Sequence, residues 1–490
     1  MVDRSILWKK LNDMGFGGEF LAALKSIYHN DSIKAVVNGI STRSIYLGRG
    51  LRQGCSLSPL LFALYVVDMG QSLQMSKEGI KVGTVVVSCL FFADDLLLVS
   101  RDENGLLRLL SLVKYHADLI HMEINTGKDK SEIISSVGDE GDLWDVLDDA
   151  GMSVLSLTQV IRYNYLGSPV LDSLQKTYNE KQKLCISKAH KYKGSCMYVS
   201  NNGPDVVDVI LATLQNVALP SILYGTEVVP FSEATIDEIE KVQSQVAKFA
   251  LGVPIGTANI CSQIELGMKP FRHLLYEHQL KYYLRILKLD DSRWVKQALN
   301  EHCGMKDSPY LKYICNVRTM LSIFEFPMKE SKLVSVVENF FINSINKKLA
   351  AHSLPWLLPL KKFNRRCYVQ ESKYSTCLAK FRYDMVENGR KYPRCGRVSV
   401  NKDCPLCPRS IRNSVSHLAM YCPSVERTRK EKTDISFFRN VCLRKGVSEE
   451  DTFSLYVNGF DWNGNLVDSA DYLKRGEELS FVLNDWLLQW

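Results

Sequence analysis

The sequence predicts an α+β protein on three observations. Over the first 170 residues the apolar spacing alternates between helix-like and strand-like. Hairpin signals, Asn38-Gly39 foremost, fall between the strand-like runs. From about Asp172 to Ala350 the spacing turns mainly helical.

The first helix follows a cap at Asp3 or Ser5 and places Ile6, Leu7, Leu11 and Met14 at helical spacing. Gly15 and Gly17-Gly18 break it, and a second helix begins at Phe20 and includes Tyr28. Strands over Ile33 to Val37 and Ser44 to Leu47 are joined through Asn38-Gly39. The loop Gly50-Leu51-Arg52-Gln53-Gly54-Cys55-Ser56-Leu57-Ser58-Pro59 leads into a very apolar helix from Leu60 to Met69. An amphipathic helix is expected over Gly105 to Ile120, then strands at 122–125 and 132–134, then a hairpin at 160–168 that closes the sheet near Val170. In the helical part, a helix over 206–218 precedes one over 235–251, started by Ser232 or Thr235 and stopped by Gly252 and Pro254.

A length of 490 residues is ample for two to four domains with their own cores. A net charge of +7 permits a nucleic-acid partner without requiring one. The fourteen cysteines form no readable bridge framework, which suggests reduced thiols inside the cell. No run of 18 apolar residues occurs, and the N-terminus lacks a signal-peptide core, so neither membrane spanning nor secretion is expected.

The most informative stretch is Phe91-Phe92-Ala93-Asp94-Asp95, with apolar runs on both sides. Both flanks read as buried strands, which sets two carboxylates on a tight hairpin tip. Adjacent negative charges repel unless a cation shares them, and a hard divalent ion such as Mg²⁺ suits oxygen ligands. In the loop before the apolar helix, Gly50 and Gly54 let the backbone approach a ligand, while Arg52 and Gln53 offer donors. Ser58-Pro59 can start the helix after it. Taken alone, this segment is better explained as a capped loop before a core helix. Much later, Cys404-x2-Cys407-x9-His417-x4-Cys422 has the ligand types and spacing of a tetrahedral Zn²⁺ site, with Cys395 a rival ligand. Residues 361–400 carry eleven Lys or Arg against three acidic residues, interleaved with aromatics, a composition suited to single-stranded RNA. Arg427, Arg429, Lys430 and Lys432 extend that positive face.

Taken in order, these stretches resemble reverse transcriptases of non-LTR, LINE-type retrotransposons. The loop from Gly50 to Phe62 looks like their template- and nucleotide-positioning motif, and Phe92-Ala93-Asp94-Asp95 is similar to their catalytic F/Y-x-D-D. Tyr165-Leu166-Gly167 resembles the primer grip. Leu219-Pro220-Ser221-Ile222-Leu223-Tyr224-Gly225-Thr226-Glu227 and Glu265-Leu266-Gly267 resemble their helical region, and the cysteine quartet resembles their C-terminal CCHC motif. The resemblance implies a partial right-hand polymerase. Its fingers and palm would span 1–170, a helical thumb and connector 171–350, and a basic region with a zinc knuckle 351–490.

By the same resemblance, Asp94 is the principal Mg²⁺ ligand and Asp95 the adjacent one. Arg52, Gln53, Gly54, Ser58 and Pro59 line the nucleotide and template pocket. A lysine after Asn125, either Lys128 or Lys130, protonates the leaving pyrophosphate, although both read equally well as solvated turn residues. The implied partners are an RNA template, a DNA primer and dNTPs, and the implied setting is nuclear with a cytoplasmic ribonucleoprotein stage. The family's further Asp, in a D-x-x-x-x-F/Y motif, would lie before Met1. Asp3 is read as a helix cap instead, so the expectation is a truncated polymerase with little or no activity, or a non-catalytic RNA- or DNA-binding remnant.

Overall fold

The computed structural model describes residues 1–350 apart from 128, 148–150, 201–205, 252, 254 and 306. Toward the C-terminus it describes 417–421, 426–457, 474, 475, 477–479 and 482. The chain divides into one unit of Met1–Thr177 with Leu289–Ser308, and a second of Tyr178–Lys288 with Pro309–Trp490.

The first unit begins with α1 (Arg4–Asp13) and α2 (Gly18–Tyr28). Four two-residue strands come next: β1 (Ser32–Ile33), β2 (Val36–Val37), β3 (Ile40–Ser41) and β4 (Ile45–Tyr46). After them come α3 (Ser58–Met75), β5 (Ile80–Val82), β6 (Val85–Val87), β7 (Cys89–Phe92), β8 (Asp95–Leu98) and α4 (Glu103–Leu119). The unit continues through β9 (Glu132–Ile133), β10 (Leu143–Leu147), β11 (Ser153–Gln159), β12 (Arg162–Tyr165) and β13 (Ser168–Leu171).

The apolar helix α3 is the centre of this unit. Its Leu61, Tyr65, Val66, Met69 and Leu73 are buried together with Leu7 and Leu11 of α1, Leu21 and Leu24 of α2, and Leu109, Val113 and Ala117 of α4. A helix that is apolar nearly all round is stable only when several neighbours cover it, and this one has three helices and Cys89 of β7 in its core. The long-range ties are polar. The buried Tyr65 hydroxyl donates to Ile120 O at 2.6 Å and accepts from Asp3 N at 3.1 Å.

Mixed helix and sheet fits the α+β expectation, but the single antiparallel sheet does not form among the described residues. Pairing is confined to β1–β4, β2–β3, β5–β6, β7–β8, β12–β13 and the three-stranded β10–β11–β9. In β13 the reason is local: Pro169 has no N–H to donate, which suits an edge strand. The hairpin at Asn38-Gly39 forms with φ of +51° and +81°, yet the strands expected around it split into four short ones. Residues 122–125 form no strand; Met122, Glu123 and Ile124 line a groove of about 400 Å³ together with Ser153 to Ser156 of β11.

The second unit is helical where described. It contains most of α5 (Leu174–Ser200), then α6 (Val206–Thr213), a π-helical turn at Leu214–Ala218, α7 (Leu219–Leu223), α8 (Glu233–Ala250), α9 (Asn259–Glu265) and α10 (Phe271–Leu287). Helix α8 starts where expected, with Ser232 Oγ accepting from Thr235 N at 3.2 Å. Gln279, fully buried on α10, donates to Thr226 O and Val229 O, both at 2.9 Å, which fixes the turn after α7. Helix α11 (Trp294–Gly304) belongs to the first unit. There Gln297 Oε1 accepts from Thr84 N at 3.0 Å at the tip of the β5–β6 hairpin. The second unit resumes with α12 (Pro309–Met320), α13 (Glu330–Ala350), a π-helical turn at His417–Tyr421, α14 (Glu426–Lys432), α15 (Ile435–Arg444) and α16 (Glu449–Val457). No described helix is long and apolar enough to cross a membrane.

The positive face expected around residues 427–432 needs one correction. Arg429 is fully buried and donates to Glu426 Oε2 at 2.6 Å, so it braces α14 rather than facing solvent. Its guanidinium is accommodated under cover because the neighbouring carboxylate pairs with it, whereas a buried charge without a partner would be strongly destabilising.

Candidate nucleic-acid polymerase site

Asp94 and Asp95 stand at the tip of the β7–β8 hairpin. Cys89 pairs with Leu98, Leu90 with Leu97, Phe91 with Leu96 and Phe92 with Asp95, which leaves Ala93 and Asp94 as a two-residue turn. Ala93 has φ of +54°, a conformation that costs a non-glycine residue about 1–2 kcal/mol. The strands were expected to be buried, but Phe92 is 63% exposed and both carboxylates face solvent. The reason is geometric. Cys89 is buried in the core and Leu96 and Leu98 pack against it half-buried, while the Phe91 ring rests on α3 at Gly70, where a Cβ would stand 3.5 Å from the ring, so the tip beyond them projects outward. An exposed tip also avoids the desolvation cost that two buried carboxylates would incur.

The loop at 50–59 is held by Asp31, a carboxylate that no motif singles out. Asp31, 7% exposed, accepts from Arg4 Nη2 at 2.8 Å and from Arg52 Nε at 2.9 Å. Arg4 also donates to Tyr28 O, Leu47 O and Gly50 O, while Arg52 Nη2 donates to Ile27 O at 2.7 Å. Ser58 Oγ donates to Arg52 O at 2.6 Å, and Pro59 sits in the first turn of α3. Arg52 is thus engaged inside the chain on two of its nitrogens. Gln53 and Gly54, the latter at φ +79°, form the exposed crest of the loop.

Lys130 is exposed at the end of a turn, and Lys128 lies outside the described residues. The β12–β13 hairpin turns at Leu166-Gly167, with φ of +49° and +74°. Strand alternation puts Tyr163 and Tyr165 on one face of β12. Burial raises both phenol pKa values, and the charge of Asp95 raises them further. Tyr163 Oη donates to Lys130 O at 2.7 Å. Tyr163 could have been found from the sequence, since it stands two positions before Tyr165 in the same strand. Asp31 could not, because an Asp beside Asn30 reads as an ordinary turn residue.

Asp3 behaves as the cap the sequence suggested. It accepts from Ser5 N at 3.0 Å and Ser5 Oγ at 2.6 Å and meets His121 Nδ1 at 3.2 Å; the bonds from Ser5 and His121 hold its carboxyl at about 2. Among the described residues no three His, Cys, Asp or Glu side chains gather in a metal-sized cluster. Asp94 and Asp95 therefore offer two carboxylates of the ligand set a two-ion site requires, and the described residues do not complete it. Of the zinc quartet, Cys404, Cys407 and Cys422 lie outside the described residues, and only the backbone of His417 is described, in the π-helical turn.

The unit thus carries an exposed Asp-Asp tip, a glycine-bearing loop leading into the helix on which Phe91 of that hairpin rests, and a β12–β13 hairpin whose tyrosine pKa values the charge of Asp95 raises. Residues 1–170 match the family described as reverse transcriptase (RNA-dependent DNA polymerase).

Three relatives narrow the likeness. The chain is 27% identical over 232 residues, 46% of its length and 30% of the relative, to the Pol polyprotein from type-1 retrotransposable element R2 of Popillia japonica. It is 26% identical over 211 residues, 42% of its length and 16% of the relative, to an uncharacterized 149 kDa protein of transposon TX1 from Xenopus laevis. It is 28% identical over 122 residues, 25% of its length and 11% of the relative, to the Pol polyprotein from type-2 retrotransposable element R2DM of Drosophila melanogaster. The matched stretches span at most 30% of these curated relatives.

Proposed function

We propose that this chain is part of the reverse transcriptase of a non-LTR retrotransposon, acting on an RNA template, a DNA primer and dNTPs. The observation that carries this reading is the solvent-facing Asp94-Asp95 hairpin, seated on α3 through Phe91, within the segment that matches the family. In the reaction a primer 3′-hydroxyl attacks the α-phosphate of a nucleotide and pyrophosphate leaves. Mg²⁺ ions, when bound, stabilise the attacking and leaving oxygens. The chain's own residues position the partners. Gln53 and Gly54 present the loop crest to the nucleotide and template, Tyr165-Leu166-Gly167 lies against the primer end, and Lys128 or Lys130 gives a proton to pyrophosphate.

The basic, aromatic-rich composition of residues 361–400 favours a second reading, in which the polypeptide binds nucleic acid without catalysis. The binding would use the basic, aromatic-rich 361–400 segment and a zinc knuckle of Cys404, Cys407, His417 and Cys422. The implied cellular setting is the nucleus, reached by way of a cytoplasmic ribonucleoprotein.

Primer extension on an RNA template with Mg²⁺, together with RNA binding at several salt concentrations, separates the two. Incorporation that disappears in Asp94→Ala supports the polymerase. Salt-sensitive binding with no incorporation supports the binding reading. For the knuckle, about one zinc per chain is expected, and its persistence in Cys407→Ser would refute the quartet.

A further inference from the structure

The turn from Asn125 to Lys130 is closed by its own bonds. Gly127 N donates to Asn125 Oδ1 at 3.1 Å, Lys130 N donates to Gly127 O at 3.1 Å, and Asp129, at φ +61°, donates its N–H to Glu132 Oε1 at 3.2 Å. The first two close the turn on itself, and the third ties it to β9. A longer-range anchor comes from the Tyr163 hydroxyl, 33 positions along the chain, which donates to Lys130 O at 2.7 Å.

Its other end is firmly set. β12 starts two residues after β11 ends, β11 pairs in parallel with β9 at Thr158–Glu132 and Gln159–Ile133, and Val160 N donates to Ile133 O at 2.8 Å. One short frame therefore carries both the turn and the tyrosine face that senses Asp95.

We propose that Tyr163 is a positioning residue, whose hydroxyl pins the turn ending at Lys130 to the frame formed by β9, β11 and β12. The assignment rests on the polymerase reading for its purpose, since holding Lys130 in place matters there only if that lysine meets a nucleotide's phosphates. The bond itself is a property of the fold and can be tested separately. Lys130 contributes through its backbone carbonyl here, so its ammonium group is left to act on a ligand.

Two measurements on the full chain test this, with Tyr163→Phe as the variant because it keeps the ring and removes only the donor. Hydrogen exchange of the amides from 127 to 131 reads the anchor. Loss of one hydrogen bond is expected to speed exchange about fivefold, and an unchanged rate overturns the proposal. Reductive labelling of lysines with pyridoxal 5′-phosphate, with and without a dNTP on a primer–template, reads the function. In the parent chain the dNTP is expected to shield Lys128 or Lys130. In Tyr163→Phe that shielding is expected to weaken several-fold at an unchanged melting temperature, an outcome that a purely structural bond would not produce. Equal shielding in both chains overturns the positioning role. No shielding in the parent chain overturns the polymerase reading instead, while the exchange experiment still decides whether the anchor exists.

Discussion

Replacing Asp31 with alanine should loosen the whole 28–52 region. The Asp31 carboxylate has both oxygens occupied, by Arg4 at 2.8 Å and Arg52 at 2.9 Å, and it is 7% exposed. The two guanidiniums respond differently to its loss. Arg4 has a side chain only 10% exposed, and three further bonds to Tyr28 O, Leu47 O and Gly50 O hold it in place, so it cannot turn to solvent. Removing its partner leaves a buried, unpaired charge, a change that costs about 3–5 kcal/mol. Arg52 is 43% exposed and rehydrates, adding only about 0–1 kcal/mol.

The assay is hydrogen exchange at two amides fixed by the same region: Leu47 N, which donates to Asp31 O at 2.8 Å, and Gly50 N, which donates to Val2 O at 2.8 Å. A loss of about 3 kcal/mol corresponds to roughly a hundredfold loss of protection. Arg52→Ala is the comparison and should lose less than about tenfold. If Asp31→Ala loses no more protection than Arg52→Ala, then Arg4 is not held as a buried charge and the predicted cost is wrong.

Three further outcomes are expected. Ala93→Gly should stabilise the β7–β8 hairpin by about 0.5–1 kcal/mol, because glycine adopts φ +54° without the strain of a Cβ; slower exchange at Leu96 and Leu97 would report it. Gly83→Ala should destabilise the first unit by about 1–2 kcal/mol, since φ is +60° and a Cβ would meet Gln297 Oε1 at 2.7 Å. Most of the steric part should disappear in a Gly83→Ala, Gln297→Ala double variant measured by urea unfolding. The last outcome concerns pH. Burial raises the Glu277 pKa, but bonds from His273 and Lys281 and the charge of Lys269 outweigh it and hold the carboxyl at about 2. With a folded-state value below the ordinary 4.5, its stabilisation is present above about pH 4.5 and fades as pH falls toward 2. On the order of 3 kcal/mol is at stake in the second unit, and Glu277→Gln should flatten that acid limb in unfolding curves taken between about pH 5 and 2.

Much of this protein is legible residue by residue. The Asp3 and Ser232 caps, the turns at Asn38-Gly39 and Leu166-Gly167, the start of α3 at Ser58-Pro59 and the Asp94-Asp95 hairpin all depend on interactions within a few positions. Side-chain chemistry and φ preferences decide such features locally, so they can be read without knowing the fold, together with the ordered motifs in the segment that matches the family.

The joining of these pieces depends instead on contacts across the fold. Arg52 reads as a ligand-facing donor until Asp31, 21 positions away, is seen to hold it. Arg429 reads as a surface charge until Glu426 and the burial of α14 are seen. The expected continuous sheet dissolves into hairpins because strand pairing depends on which edges meet in space, and periodicity carries no record of that. The bond between Tyr163 and Lys130, 33 positions apart, is of the same kind. Each of those residues is ordinary in its own segment, and their convergence comes from a frame of paired strands and buried contacts set by distant parts of the chain.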